Sequence, residues 1–103
     1  MIDFYEGISF IEEDGKIATN DLTVFALSTC GFCRRGLNFL RENDVKFRYV
    51  YIDKILDLER KSKLKEDLQK KFNKRVAFPF LVCNDEKTAV GFVKSDWEEL
   101  CGL

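Results

Sequence analysis

Two cysteines three positions apart, Cys30 and Cys33 in the stretch Ser28-Thr29-Cys30-Gly31-Phe32-Cys33-Arg34-Arg35-Gly36, carry the most evident chemistry in this chain. At that spacing a pair can exchange with disulfides as a redox couple, supply half of a four-ligand metal site, or pack as two small hydrophobes. The chain has no histidine. That removes cysteine–histidine nucleophiles, histidine-ligated zinc and a histidine general base in one step. A metal site would need Cys83 and Cys101 to converge with the pair, and their spacing is not that of a zinc ribbon. No metal is therefore assigned, and Cys83 and Cys101 read as core residues.

The elements that must position the pair follow from periodicity. Leu22–Leu27 (LTVFAL) is a nearly continuous apolar run, as expected of a strand covered on both faces, and it leads straight into the cysteines. Beyond them Cys33, Gly36, Leu37 and Leu40 recur at helical spacing and predict a helix ending near Asn43-Asp44, with Gly36 on its buried stripe allowing close packing. Lys46–Ile52 (KFRYVYI) predicts a second strand, so the two strands are parallel and joined by a right-handed crossover. Leu64, Leu68 and Phe72 mark an amphipathic helix over about 57–72. Residues 79–83 (PFLVC) and 88–92 (TAVGF) predict an antiparallel hairpin. A short last helix is expected to start at Ser95 or Asp96 with a capping box to Glu98 or Glu99, and Trp97 to pack on the sheet.

The expectation is an α/β fold, β-α-β-α-β-β-α, with a four-stranded mixed sheet and flanking helices over residues 21–103. Residues 1–20 read as an N-terminal extension, a β-hairpin about Asp14-Gly15. A length of 103 residues fits one core. The formal charge of −1 gives no bulk attraction to nucleic acid or membrane, and a monomer is expected. The basic run of residues 60–75 reads as a solvated helix face. No apolar run is long enough to span a bilayer, and the start of the chain lacks a signal-peptide pattern, so a cytoplasmic protein is expected. Close cysteine pairs in that compartment are catalytic or metal-binding more often than structural.

A cysteine between a buried strand and a helix N-terminus meets unpaired N–H groups and the positive end of the macrodipole, which favour a thiolate. Cys30 is then the exposed nucleophile, and Cys33, one turn on and facing inward, is placed to resolve a mixed disulfide. Phe32 stands at the entrance, a contact for a peptide or thiol substrate.

With these residues in view, the chain resembles the glutaredoxin branch of the thioredoxin superfamily. The resemblance covers about residues 21–103 and rests on VFALSTCGFCRR, Phe78-Pro79-Phe80, Gly91-Phe92 and Asp96. It implies a thioredoxin-like fold and a thiol-disulfide oxidoreductase with no bound cofactor, acting on disulfide-containing proteins or glutathione mixed disulfides. By the same resemblance Cys30 is the nucleophile, Cys33 the resolving cysteine, Pro79 a cis-proline, and Phe78 a backbone clamp for substrate. Asp96 would meet the amino group of a glutathione co-substrate, and Lys74 or Arg75 its glycine carboxylate.

The chain departs from glutathione-using members at Leu27, where many carry lysine, at Ala77-Phe78-Pro79 in place of Thr-Val-Pro, and at Gly91-Phe92 in place of Gly-Gly. Gly91-Phe92 also resembles glutaredoxin-like proteins that take electrons from thioredoxin reductase, which is the alternative electron donor this resemblance implies. CGFC also differs only in its last residue from the CGFS of monothiol glutaredoxins, which hold an iron–sulfur cluster between subunits. A cluster-binding carrier is the alternative function.

Overall fold

The structure, a computed structural model, describes residues 8–103. Its five strands are β1 (Ile11–Glu13), β2 (Leu22–Ala26), β3 (Phe47–Tyr51), β4 (Phe80–Cys83) and β5 (Lys87–Val90). They form one mixed sheet in the order β1-β3-β2-β4-β5. Helix α1 (Gly31–Glu42) joins the parallel pair β2 and β3, α2 (Leu58–Phe72) leads to β4, and α3 (Lys94–Cys101) closes the chain. Every residue of β2 is buried, which explains why its sequence is apolar without alternation.

The two faces of the sheet carry separate cores. On one face Leu37, Leu40, Trp97 and Cys101 of α1 and α3 pack on Leu22, Val24, Leu81 and Ala89. On the other, Leu64 and Leu68 of α2 cover Phe25, Val50, Phe80 and Val82. Since α2 buries only these two leucines fully, truncating either to alanine would cost about 2–5 kcal/mol. Its start is set by Asp57, whose carboxylate accepts the N–H groups of Glu59 and Arg60, each at 3.1 Å.

Two expectations are corrected. The first concerns the N-terminal hairpin, of which residues 1–7 lie outside the described residues. Among the described residues β1 does not pair with the segment after Asp14-Gly15. It lies antiparallel along β3, Ile11 opposite Tyr49 and Glu13 opposite Phe47, and adds a fifth strand to the sheet. The chain beyond Gly15 then makes one parallel bridge, Ile17 to Val45. The free edge of β3 offers β1 a longer partner than its own return segment can. Arg41 fastens the arrangement from α1 with a forked contact to Glu13 at 2.6–3.0 Å. The second concerns α3, which begins at Lys94 after an extended Val93 and has no side-chain cap. The helix starts one residue before Ser95 because Val93 C=O already accepts the Trp97 N–H at 3.1 Å, so neither capping box forms.

Candidate active site

The cysteines sit where β2 gives way to α1. The Cys30 N–H turns back to Leu27 C=O at 3.3 Å, and Cys30 C=O accepts the first helical bond, from Arg34 N–H at 3.1 Å. Cys30 thus occupies the cap position of α1 with extended backbone, φ −97° and ψ 118°. Its sulfur does what a serine or aspartate oxygen does at other helix starts, accepting the Cys33 N–H at 3.2 Å. Such a bond strengthens when the acceptor carries negative charge. No acidic residue stands in the first turn to compete, and Arg34 and Arg35 follow directly on Cys33.

The two thiols have different surroundings. Cys30 is partly exposed, whereas Cys33 is fully buried on the inner stripe of α1. Burial, reinforced by the hydrogen bond with the Cys30 side chain, pushes the Cys33 thiol up to about 12. Cys33 therefore stays protonated until a reaction draws it out. Cys83 and Cys101 are buried far along β4 and α3, each pushed up by burial, Cys101 to about 11. Among the described residues no group of three or more metal-ligating side chains converges.

Two further segments lie at this end of the sheet. The Phe78–Pro79 peptide is cis, and Pro79 is buried. Since Phe25 of β2 stands opposite Phe80 of β4, the antiparallel register carried two residues on puts Phe78 level with Leu27, beside the cysteine turn. Phe78 packs against both cores. Next, Gly91, in the left-handed region at φ 77°, donates its N–H to Pro79 C=O at 2.8 Å, and its C=O accepts the Trp97 indole N–H at 3.0 Å. Finally, Phe92 packs edge-on to Trp97 with centroids 5.1 Å apart.

The remaining predicted residues are more dispersed. Phe32 is exposed at the rim, with the Arg35 guanidinium 5.5 Å above its ring. Asp96 lies exposed in the first turn of α3 and lines a shallow groove of about 520 Å³ together with Lys71, Lys74 and Lys87. Neither cysteine enters that groove. Arg75 is exposed between α2 and Pro79. A larger hollow of about 570 Å³, lined in part by Asn20, Thr23, Arg48 and Asn84, lies at the opposite end of β2 from the cysteines.

One contact was not anticipated from sequence. Ser28 gives its N–H and its hydroxyl to the Asp53 carboxylate, at 2.9 and 2.5 Å. Asp53 lies in a 3-10 turn, Ile52–Lys54, directly after β3. These bonds hold the Asp53 carboxyl below the usual carboxylate range. The only sequence signal is a serine two residues before the cysteine and an aspartate just past a strand.

A mixed sheet with a buried-strand-to-helix dithiol turn and a neighbouring cis-proline defines a thioredoxin-fold protein. The glutaredoxin family model matches residues 22–87. A glutaredoxin from Methanosarcina mazei Go1 is 31% identical, with a TM-score of 0.79 over 91% of this chain and 88% of that one. A methanoredoxin from Methanosarcina acetivorans is 32% identical, with a TM-score of 0.79 over 98% of this chain and 100% of that one. A glutaredoxin from Archaeoglobus fulgidus is 30% identical, with a TM-score of 0.68 over 80% and 86%. No curated protein sequence matches the chain. The chain belongs to the glutaredoxin family. No helix among the described residues is long and apolar enough to cross a membrane.

Proposed function

We propose that the protein is a dithiol thiol-disulfide oxidoreductase that reduces protein disulfides or mixed disulfides with a small thiol. The observation that carries this reading is the asymmetry of the pair: a partly exposed Cys30 sulfur at a helix N-terminus and a buried, protonated Cys33 one turn away.

In the first step the Cys30 thiolate attacks one sulfur of the substrate disulfide. The substrate S–S bond breaks, a Cys30–substrate disulfide forms, and the departing sulfur takes up a proton. In the second step Cys33 loses its proton and attacks the Cys30 sulfur, releasing the second substrate sulfur as a thiol. Two electrons have passed to the substrate, and the protein is left with a Cys30–Cys33 disulfide. The burial that keeps Cys33 protonated delays this step until the mixed disulfide exists. Phe78 lies just outside the β2–β4 ladder, where its main chain can pair with an extended substrate. Phe32 offers an apolar contact at the entrance. Resetting requires a dithiol's worth of electrons from glutathione, another small thiol, or a flavin-linked reductase such as thioredoxin reductase.

Replacement of each cysteine by serine tests the assignment. Cys30→Ser is expected to abolish disulfide reduction, and Cys33→Ser to accumulate a covalent Cys30–substrate adduct visible by mass. Undiminished turnover in Cys30→Ser would remove the proposal. Stoichiometric iron in anaerobically purified protein, lost in Cys30→Ser, would favour the cluster carrier instead.

A further inference from the structure

The rim around Cys30 is apolar and cationic at once. Phe32, Leu56 and Leu58 are 61%, 97% and 72% exposed, a high cost for three large apolar side chains on a small domain. They share one end of the fold. Phe32 projects from the first turn of α1, while Leu56 lies on the connection from β3 to α2 and Leu58 opens α2. Because β2 and β3 are parallel, that connection leaves the sheet at the same end as the cysteine turn, and the Ser28–Asp53 bonds tie the two together.

Four cations stand among these side chains. Arg34 and Arg35 follow Cys33 on α1, Lys54 follows Asp53, and Lys65 of α2 lies 5.9 Å from the Phe78 ring. Among the described residues the ion pairs involve Arg41, Lys63, Lys70 and Lys71; Arg34, Arg35 and Lys65 enter none of them, and Lys54 stands beside Asp53. The nearby acids Asp53 and Asp57 already accept backbone N–H groups, and Glu59 alone adds to them in the first turn of α2. The stretch from Lys54 to Lys65 contains five basic and two acidic side chains in a chain whose formal charge is −1.

We propose that this rim docks an acidic, apolar protein segment, so that the preferred substrate is a protein disulfide flanked by carboxylates and large aliphatic side chains. The inference rests on the oxidoreductase reading above and narrows its substrate class. Carboxylates on the partner pair with Arg34, Arg35, Lys54 and Lys65, and its aliphatic side chains cover Phe32, Leu56 and Leu58. The electrons follow the two-step exchange already described, with the substrate disulfide as the only oxidant of the dithiol. Charge complementarity raises the encounter rate, and apolar contact lengthens the stay.

The test compares three disulfides as oxidants of the reduced protein under anaerobic conditions. One is a disulfide-linked peptide with Asp, Glu and Leu around its cysteine, the second has Lys in place of the acids, and the third is 2-hydroxyethyl disulfide. The acidic peptide is expected to react about tenfold faster than the basic one at low ionic strength, an advantage shrinking to roughly twofold in about 0.5 M salt. The double variant Leu56→Ser/Leu58→Ser is expected to lose roughly fivefold with the acidic peptide, on the scale of partly losing two exposed apolar contacts, and nothing with 2-hydroxyethyl disulfide. Equal rates for the two peptides, or no loss in the double variant, would overturn the docking rim while reaction with 2-hydroxyethyl disulfide keeps the oxidoreductase reading. Equal peptide rates with sedimentation on phosphatidylglycerol vesicles would assign the surface to an anionic membrane and overturn it too. If none of the three disulfides oxidises Cys30 and Cys33, the oxidoreductase reading falls and the docking rim with it.

Discussion

Asp53 holds Ser28 from 25 residues away in sequence, through both the main-chain N–H and the hydroxyl. The pair fastens the end of β3 to the turn that carries Cys30. Replacing Asp53 with alanine is expected to slow disulfide exchange roughly 3- to 10-fold at neutral pH, the scale of one charge-assisted hydrogen bond discounted for exposure. Stopped assays of parent and variant measure it.

The same carboxylate has a pH signature. Its pKa is lowered in the folded state, so its contribution to stability is present above the unfolded value of about 3.9 and is lost as pH falls through the lower, folded value. The difference in Tm between parent and Asp53→Asn should therefore be constant from neutral pH to about 4 and close below it. A difference that closes at higher pH would assign the effect to another group.

Gly36 lies against Trp97 with no room for a side chain. A Cβ there would stand 2.6 Å from the indole Cη2 and 2.9 Å from Cζ3. Both partners are buried, so α1 or α3 must shift to admit a methyl group. Gly36→Ala is expected to lower stability by about 1–3 kcal/mol despite the better helix propensity of alanine. Urea unfolding followed by circular dichroism reads the change.

Burial of the reduced thiols predicts an alkaline weakness. Cys33 and Cys101 are pushed up to about 12 and about 11, and Cys83 is also raised. Folding favours their protonated forms, so this stability is complete below the unfolded cysteine pKa of about 8.5 and declines as pH rises toward the folded values. Reduced protein is expected to lose Tm steeply above about pH 9, and Cys101→Ala to lose it less steeply. Parallel slopes in the two proteins would contradict the assignment.

Asp57 is the cap of α2, and its carboxylate satisfies two otherwise unpartnered N–H groups. Asp57→Ala is expected to cost about 1 kcal/mol and to raise amide exchange in residues 58–61 ahead of the rest of the helix.

Periodicity revealed what is held by local burial. The apolar run of β2, the stripe Cys33, Gly36, Leu37 and Leu40, and the cap-to-Phe72 extent of α2 were readable because each reflects one element against one core. What escaped depends on partners chosen across the fold. Ile11–Glu13 has the same strand-forming residues whether it pairs with its own return or with β3, and the free edge that decides the matter lies more than thirty residues on. Ser95, Asp96, Glu98 and Glu99 satisfy two capping patterns, yet α3 starts earlier, at Lys94, where Val93 C=O takes the Trp97 N–H. Cys30 and Cys33 were legible as a site because their spacing and strand-to-helix setting are local. The Ser28–Asp53 contact was not, because it joins the ends of two strands that only the parallel crossover brings together.

The bonds from the Trp97 indole to Gly91, and from Gly91 to Pro79, form a continuous path from α3 to the loop beside the cysteines. Trp97 is also the sole tryptophan of the chain. Its emission therefore comes from one address, wired to the proline loop and free of background from any second indole. The molecule carries an intrinsic optical gauge: a change in the seating of that loop during a catalytic cycle can be followed in real time without attaching a dye or altering a residue.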